Sequence, residues 1–264
     1  MHRFFVSVPL SVGQPVTLVG DQAHQVRRVL RMRPPEHVLL LDGHSGVFEA
    51  ELVAVKNTGV TFQVVRRQEA TGEPATHITL YQAVLKGERF GWALQKGVEV
   101  GISAFVPLVC ERNIVNDTAA IEGKRPRWEQ IIREAAEQCG RSRLPVLQPA
   151  QLFKQAVKSP PPVAVTTEGI VPEARGRPAS GPLRLIPWEG ERQMHLRAAL
   201  VACNVASAPG IQIFVGPEGG FTAEEIALAR HYGIQTVTLG PRILRAETAG
   251  VIAAALILYE MGDL

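Results

Sequence analysis

The hydrophobic pattern changes its period near residue 70. Before that point, short Val- and Leu-rich runs at 16–19, 38–41, 47–55 and 60–65 are divided by the turn signals Asp42-Gly43, Ser45-Gly46 and Asn57-Thr58-Gly59. Several short strands at this spacing predict a small barrel or sandwich. Residues 21–33 differ. Val26, Val29 and Leu30 fall at helical spacing, with Asp21 as N-cap and Pro34 stopping the run. The other side of that short helix carries Arg27, Arg28 and Arg31, with His24 and Arg33 close by.

Residues 68–76 are polar and turn-forming and read as a linker, dividing the chain into domains 1–70 and 74–264. Beyond it, strand and helix patterns alternate. Strands are predicted at 78–85, 104–109, 163–167, 211–215 and 236–239. Phe90, Leu94, Val98 and Gly101 trace one face of a helix. Trp128, Ile131, Ile132, Ala135, Ala136 and Cys139 trace another, with Gly140 just past its end. Thr222-Ala-Glu-Glu225 is a capping box whose helix Gly233 ends, and a last helix covers 247–261. This alternation predicts a mostly parallel α/β sheet, and hence an α+β two-domain chain. Residues 169–192, rich in Pro, Gly and Arg, read as an exposed connection.

Composition narrows the class. The chain has 264 residues, 46% hydrophobic and 20% charged, which fits a globular protein of one or two domains and excludes a disordered one. Net charge is only +3, but of 28 basic residues six are Lys, so Arg dominates. The guanidinium fork suits phosphate or carboxylate, which permits a nucleic-acid partner, though surface ion pairs account for the same bias. Cys110, Cys139 and Cys203 stand far apart, with no CxxC, Cys/His cluster or HExxH, so neither a disulfide framework nor a metal is expected. The opening MHRFFVSVPL lacks a signal-peptide pattern, and the apolar run 249–258 is too short to span a bilayer. A reduced, cytoplasmic protein without a membrane partner is expected.

Two loops concentrate the candidate chemistry. Val215-Gly-Pro-Glu-Gly-Gly-Phe221 lies between a buried strand and a capped helix, where open α/β sheets bind ligands. Its glycines let a ligand approach the backbone, although a plain tight turn would use the same residues. Leu239-Gly-Pro-Arg-Ile-Leu-Arg-Ala-Glu-Thr248-Ala249 again follows a strand and opens a helix. There Ile243 and Leu244 could floor a site for a flat ring, with Arg245 and Glu247 at its mouth. Alternatively, Glu247 is a first-turn acid answering the helix dipole and Arg242 a solvated cation. Gly43-His-Ser-Gly46 is no hydrolase elbow, the histidines have no metal spacing, and Glu134 and Glu137 read as solvated.

These two loops closely resemble the signature of the SPOUT superfamily of knotted methyltransferases, and within it the RsmE family, which methylates N3 of a uridine in 16S ribosomal RNA. Arg3-Phe4-Phe5, the basic stretch from His24 to Arg31, Lys96–Gly101 and the helix from Trp128 to Arg141 resemble further elements of that family, in the same order. The resemblance implies a PUA-like N-terminal β-barrel for RNA, a C-terminal domain with a deep trefoil knot, S-adenosylmethionine as methyl donor, and a homodimer. It implies a cofactor site lined by Thr167, Val215, Gly216, Gly220, Leu239, Gly240, Ile243, Leu244 and Arg245.

Methyl transfer from a sulfonium needs orientation and electrostatics more than a metal. The uridine N3 proton must leave before the nitrogen attacks. Arg245 is the candidate for stabilising the resulting anion, and Glu218 or Glu247 for taking the proton. Arg3, His24, Arg28 and Arg31 are expected to meet the RNA backbone, their alternative being a solvated basic face. Two rival functions remain open at this point: a knotted methyltransferase acting on a 2′-hydroxyl or on transfer RNA, and a non-catalytic ribosome assembly factor.

Overall fold

The structure, a computed structural model, describes residues 1–114, 117–158, 181–202 and 210–264. The chain divides into two compact units, Met1–Glu73 with Arg133–Leu144, and Pro74–Ile132 with Pro145–Leu264.

In the first unit, strands β1 (His2–Phe5), β2 (Pro15–Leu18), β3 (His37–Leu41), β4 (Val47–Lys56) and β5 (Gly59–Gln68) form one sheet in the order β1-β3-β4-β5-β2. Only β1 and β3 run parallel; β3–β4 and β4–β5 are antiparallel hairpins, and β2 pairs antiparallel with the distant β5. The alternating inward positions Phe4, Val38, Leu40, Leu52, Val60 and Phe62 are buried in one core with Val26. At the β3–β4 turn the Asp42 carboxylate accepts the N–H groups of His44 (2.7 Å) and Gly46 (2.8 Å). Any side chain at 46 would strike that carboxylate, which is why the turn ends in glycine.

The short helix departs from expectation in two ways. Helix α1 spans Gly20–His24 with Val19, not Asp21, as N-cap, so Asp21 serves as a first-turn acid. Residues Gln25–Val29 then form a π-turn. Its extra residue per turn shifts the phase: Val26 stays buried while Val29 faces out at 66% exposure. The 3.6-residue spacing read from the sequence therefore placed Val29 on the wrong side.

The second unit holds β6 (Ile78–Ala83), α2 (Arg89–Val100), β7 (Ala104–Val109), α3 (Thr118–Glu122), α4 (Arg125–Cys139), β8 (Val146–Leu147), β9 (Gln151–Leu152), α5 (Phe153–Ala156), β10 (Leu183–Pro187), α6 (Leu196–Ala202), β11 (Ile211–Val215), α7 (Ala223–His231), β12 (Gln235–Val237) and α8 (Ala246–Met261). Among the described residues all its strand pairings are parallel, in the order β12-β10-β11-β6-β7-β8, with β9 also on β7. Burial on both faces explains the mostly apolar runs of β6, β7 and β11, in which the polar Thr79, Gln82 and Gln212 are buried as well. Phe90, Leu94 and Val98 form the buried face of α2, and Gly101 closes it at φ +118°. The capping box on α7 is present in both directions, Thr222 Oγ1 accepting from Glu225 N–H and Glu225 Oε2 from Thr222 N–H. Helix α8 approaches β6 so closely that a Cβ on Gly250 would lie 2.9 Å from Leu80.

Of the stretch 169–192, residues 169–180 lie outside the described residues, and 181–192 do not behave as a mere exposed connection. Within them β10 is a buried strand between β11 and β12. Its composition hid it, because Arg184 sits mid-strand. That guanidinium donates to the carbonyls of Ala156 (3.0 Å) and Val157 (3.0 Å) and to Gln212 (3.1 Å), and rests over the Phe214 ring. The predicted strand at 163–167 lies outside the described residues.

The unit boundary falls within α4, and residues 133–144 complete the first unit. Glu134 is exposed as expected, but Glu137 is not simply solvated. Its Oε1 accepts the Phe5 N–H at 2.9 Å, and burial pushes its carboxyl above the usual range. Arg133 donates to the Phe5 carbonyl at 3.2 Å. Glu73 receives the Arg141 guanidinium (2.9 Å) and the N–H groups of Ser142 and Arg143.

Candidate active site

The carboxyl ends of β10, β11 and β12 lie side by side, so the loops that follow them converge. Residues 216–221 after β11 and 243–247 at the start of α8 line one cavity of about 530 Å³, within the ~300–1,000 Å³ range of small-molecule sites. A smaller cavity beside it is lined by Trp188, Arg192, Thr238, Leu239, Gly240 and Arg242, among others. Pro187, Glu189, Ile243, Leu244 and Ala249 belong to both.

The glycines of the first loop have separate jobs. A Cβ on Gly216 would crowd the Phe221 ring at 3.1 Å, so this glycine lets the loop fold over its own aromatic residue. Gly220 sits at φ +68°, and a Cβ there would come within 2.7 Å of Glu189 Oε1. The loop is fastened from outside by Arg112, which donates to the Gly219 carbonyl at 2.6 Å. Glu218 Oε1 accepts the Lys86 N–H at 3.0 Å and Arg89 at 3.4 Å. Glu225 adds a third tie, accepting the Glu111 N–H at 2.9 Å beside its capping role.

Arg245 is the N-cap of α8, with its side chain 77% exposed at the cavity rim. Glu247, in the first turn, is 13% exposed and lies 4.0 Å from the Arg245 guanidinium. Leu244 is half-buried, but Ile243 is 84% exposed. It stands at the rim of both cavities, whereas the sequence suggested a floor. Leu239 and Gly240, the latter at φ +111°, line the smaller cavity. Val215, Gly216, Gly220 and Arg245 line the larger one. Thr167 lies outside the described residues.

The loop after β10 was not anticipated from the sequence. Glu191 organises it, accepting the Thr236 hydroxyl at 2.7 Å and the N–H groups of Arg192, Gln193 and Met194, with Arg230 at 3.3 Å. These donors, the Thr236 hydroxyl foremost, hold its carboxyl at about 2. Arg230 also lies over the Trp188 ring, so the residues around Glu189 are pinned on both sides. Trp188-Glu189-Gly190 directly after an apolar run was the available signal.

Of the expected RNA-contacting residues, all in the first unit, His24, Arg28 and Arg31 are exposed. Arg31 takes the left-handed φ of +54°, and Arg3 rests its guanidinium against Gly140. Arg27 is occupied, donating to the carbonyls of Ala23, Lys56 and Asn57. No group of metal-ligating side chains occurs among the described residues.

Residues 72–258 match the model of the RNA methyltransferase domain family. The chain is 33% identical to the ribosomal RNA small subunit methyltransferase E of Synechocystis sp., over 96% of this chain and 76% of that protein. It is 26% identical to the protein of the same name from Bacillus subtilis, over 98% and 97%. Among solved structures, it resembles the Neisseria gonorrhoeae ribosomal RNA small subunit methyltransferase E bound to S-adenosyl methionine, with a TM-score of 0.79, 29% identity and 98% of each chain covered. It also resembles a putative methyltransferase of Legionella pneumophila in complex with the same cofactor, with a TM-score of 0.81, 30% identity and 98% and 97% covered.

Proposed function

Because this chain belongs to the small-subunit ribosomal RNA methyltransferase E family, we propose that it methylates N3 of a uridine in 16S ribosomal RNA with S-adenosylmethionine as donor. The observation that carries this reading is the convergence of the loops after β11 and β12 on adjoining glycine-bordered cavities. Bare backbone at Gly216, Gly220 and Gly240 suits a ligand that must lie flat against the chain. Leu239, Gly240, Ile243 and Leu244 would hold its ring end, and Val215, Gly216, Gly220 and Arg245 the reactive end. When bound, the cofactor supplies a methyl group on a positively charged sulfur.

The protein's own residues then have to prepare the nucleophile. Arg245, exposed at the rim and only at the 4.0 Å limit of an ion pair with Glu247, would turn to meet the uracil carbonyls and stabilise the anion left by N3 deprotonation. Glu218 is already engaged by Lys86 and Arg89 in holding its loop. Glu247, beside Arg245, is therefore the better proton acceptor. The target base must be unpaired or turned out, since N3 is otherwise consumed by pairing. His24, Arg28, Arg31 and Arg3 would meet the RNA backbone.

The five-stranded sheet of the first unit is read as the family's PUA-like barrel, and the second unit as its trefoil-knotted domain. Exposed Ile252, Leu256 and Tyr259, four and three residues apart on α8, support a homodimer built on that helix. Among the described residues no helix is long and apolar enough to cross a membrane; we assign the protein to the cytoplasm, acting on the small ribosomal subunit.

The test is to incubate the protein and labelled S-adenosylmethionine with small subunits from cells lacking this gene, then identify the nucleoside by mass spectrometry. N3-methyluridine at one position is the expected product. A 2′-O-methyl nucleoside, or label in transfer RNA alone, would overturn the N3 assignment. Cofactor binding without transfer would overturn the catalytic reading.

A further inference from the structure

Three carboxylates border the larger cavity: Glu218 is held by Lys86 and Arg89, and Glu247 lies at the 4.0 Å limit of an ion pair with Arg245. The third, Glu189, makes no hydrogen bond or ion pair with any described residue. It is also the one charged residue that borders both cavities. Its side chain is exposed, and the chain on either side of it is held. Glu191 clamps the following three residues, Arg230 covers Trp188, and the carboxylate abuts the bare Cα of Gly220.

We propose that Glu189 is a cofactor-binding residue that accepts hydrogen bonds from the ribose hydroxyls of S-adenosylmethionine. This rests on the cofactor reading above. A ligand whose ring end lies against Leu239 and Gly240 and whose reactive end lies against Gly216 and Gly220 must pass its middle between the two cavities. Glu189 faces that passage. The middle of S-adenosylmethionine is a ribose bearing two adjacent hydroxyls, both donors. A carboxylate has two oxygens able to accept them, and ionised acceptors make the stronger hydrogen bonds. Dinucleotide-binding folds hold a ribose hydroxyl with an acidic residue for the same reason. Gly220 is required on this account as well, because any side chain there would push the carboxylate out of the passage.

The test is calorimetric titration of wild type and Glu189→Gln with S-adenosylmethionine, S-adenosylhomocysteine and 2′-deoxy-S-adenosylhomocysteine. Losing charged hydrogen bonds should weaken both natural ligands by the same factor, about tenfold or more. The 2′-deoxy compound should bind wild type less tightly than its parent, and the Gln variant should discriminate little between the two. Weakening confined to S-adenosylmethionine would mean that Glu189 senses the sulfonium charge and would overturn the ribose assignment. Unchanged affinities, or full discrimination by the Gln variant, would overturn it too. Wild type that binds none of the three would instead remove the cofactor reading beneath it.

Discussion

Glu191 Oε2 accepts the Thr236 hydroxyl at 2.7 Å, joining the loop after β10 to strand β12. Replacing Glu191 by Gln should destabilise the protein by about 1–3 kcal/mol at pH 7, the scale of a hydrogen-bonded charge. Because the folded carboxyl is held at about 2 against an ordinary 4.5, its contribution is complete above 4.5 and is lost as pH falls toward 2. Urea unfolding at several pH values checks this: the gap between wild type and variant should be full at pH 7 and smaller at pH 3.

Arg245→Ala should lower turnover at least ~10²-fold, the usual cost of removing one group that stabilises a developing anion. Its side chain is exposed, so stability and RNA affinity should stay within about twofold of wild type. Single-turnover methylation and filter binding separate the two effects, and surviving turnover would reassign the role.

Gly220→Ala combines two penalties: a left-handed φ of +68° and a clash with Glu189 at 2.7 Å. The backbone part alone costs roughly 1 kcal/mol. Cofactor affinity should fall by more than that implies, because the clash moves the loop. Thermal melts with and without S-adenosylhomocysteine should show a small loss of stability and a larger loss of the ligand-induced shift.

Arg27 and Arg28 are neighbours with opposite fates. Arg28 is exposed, so Arg28→Ala should leave the melting temperature unchanged and reduce the salt slope of RNA binding by about one. Arg27 spends its donors on three backbone carbonyls, so Arg27→Ala should cost about 1 kcal/mol of stability. Melting curves and RNA binding between 50 and 200 mM salt (roughly the range over which counterion release is visible) distinguish them.

What was legible in the sequence was local code. The Thr222–Glu225 capping box, the Phe90, Leu94 and Val98 stripe of α2 and the mostly apolar runs of β6, β7 and β11 each declare themselves within a few residues, whereas Gly101, read as part of that stripe, is the left-handed cap that ends the helix. The two glycine loops, which line the two cavities, were legible as candidate sites because strand, glycine and helix follow in order. What failed depended on partners far along the chain. Arg184 disguised β10, since its guanidinium is satisfied by carbonyls 27 and 28 residues away. With β10 unseen, Glu189 and Glu191 had no strand end to stand on. Val29 was misplaced because a π-turn is invisible to a 3.6-residue period. Glu137 was misjudged because its partner, the Phe5 N–H, lies 132 residues earlier.

The first unit is not a contiguous length of chain, since it includes Arg133–Leu144. A fragment ending at residue 73 would leave Phe5 without Glu137 and Arg133, and Glu73 without Arg141. During synthesis, the N-terminal strands must therefore wait until nearly twice their own length has left the ribosome before their fold can close. A unit so built cannot be cut out at residue 73 without losing these contacts. It closes only once Pro74–Ile132 of the second unit has been made.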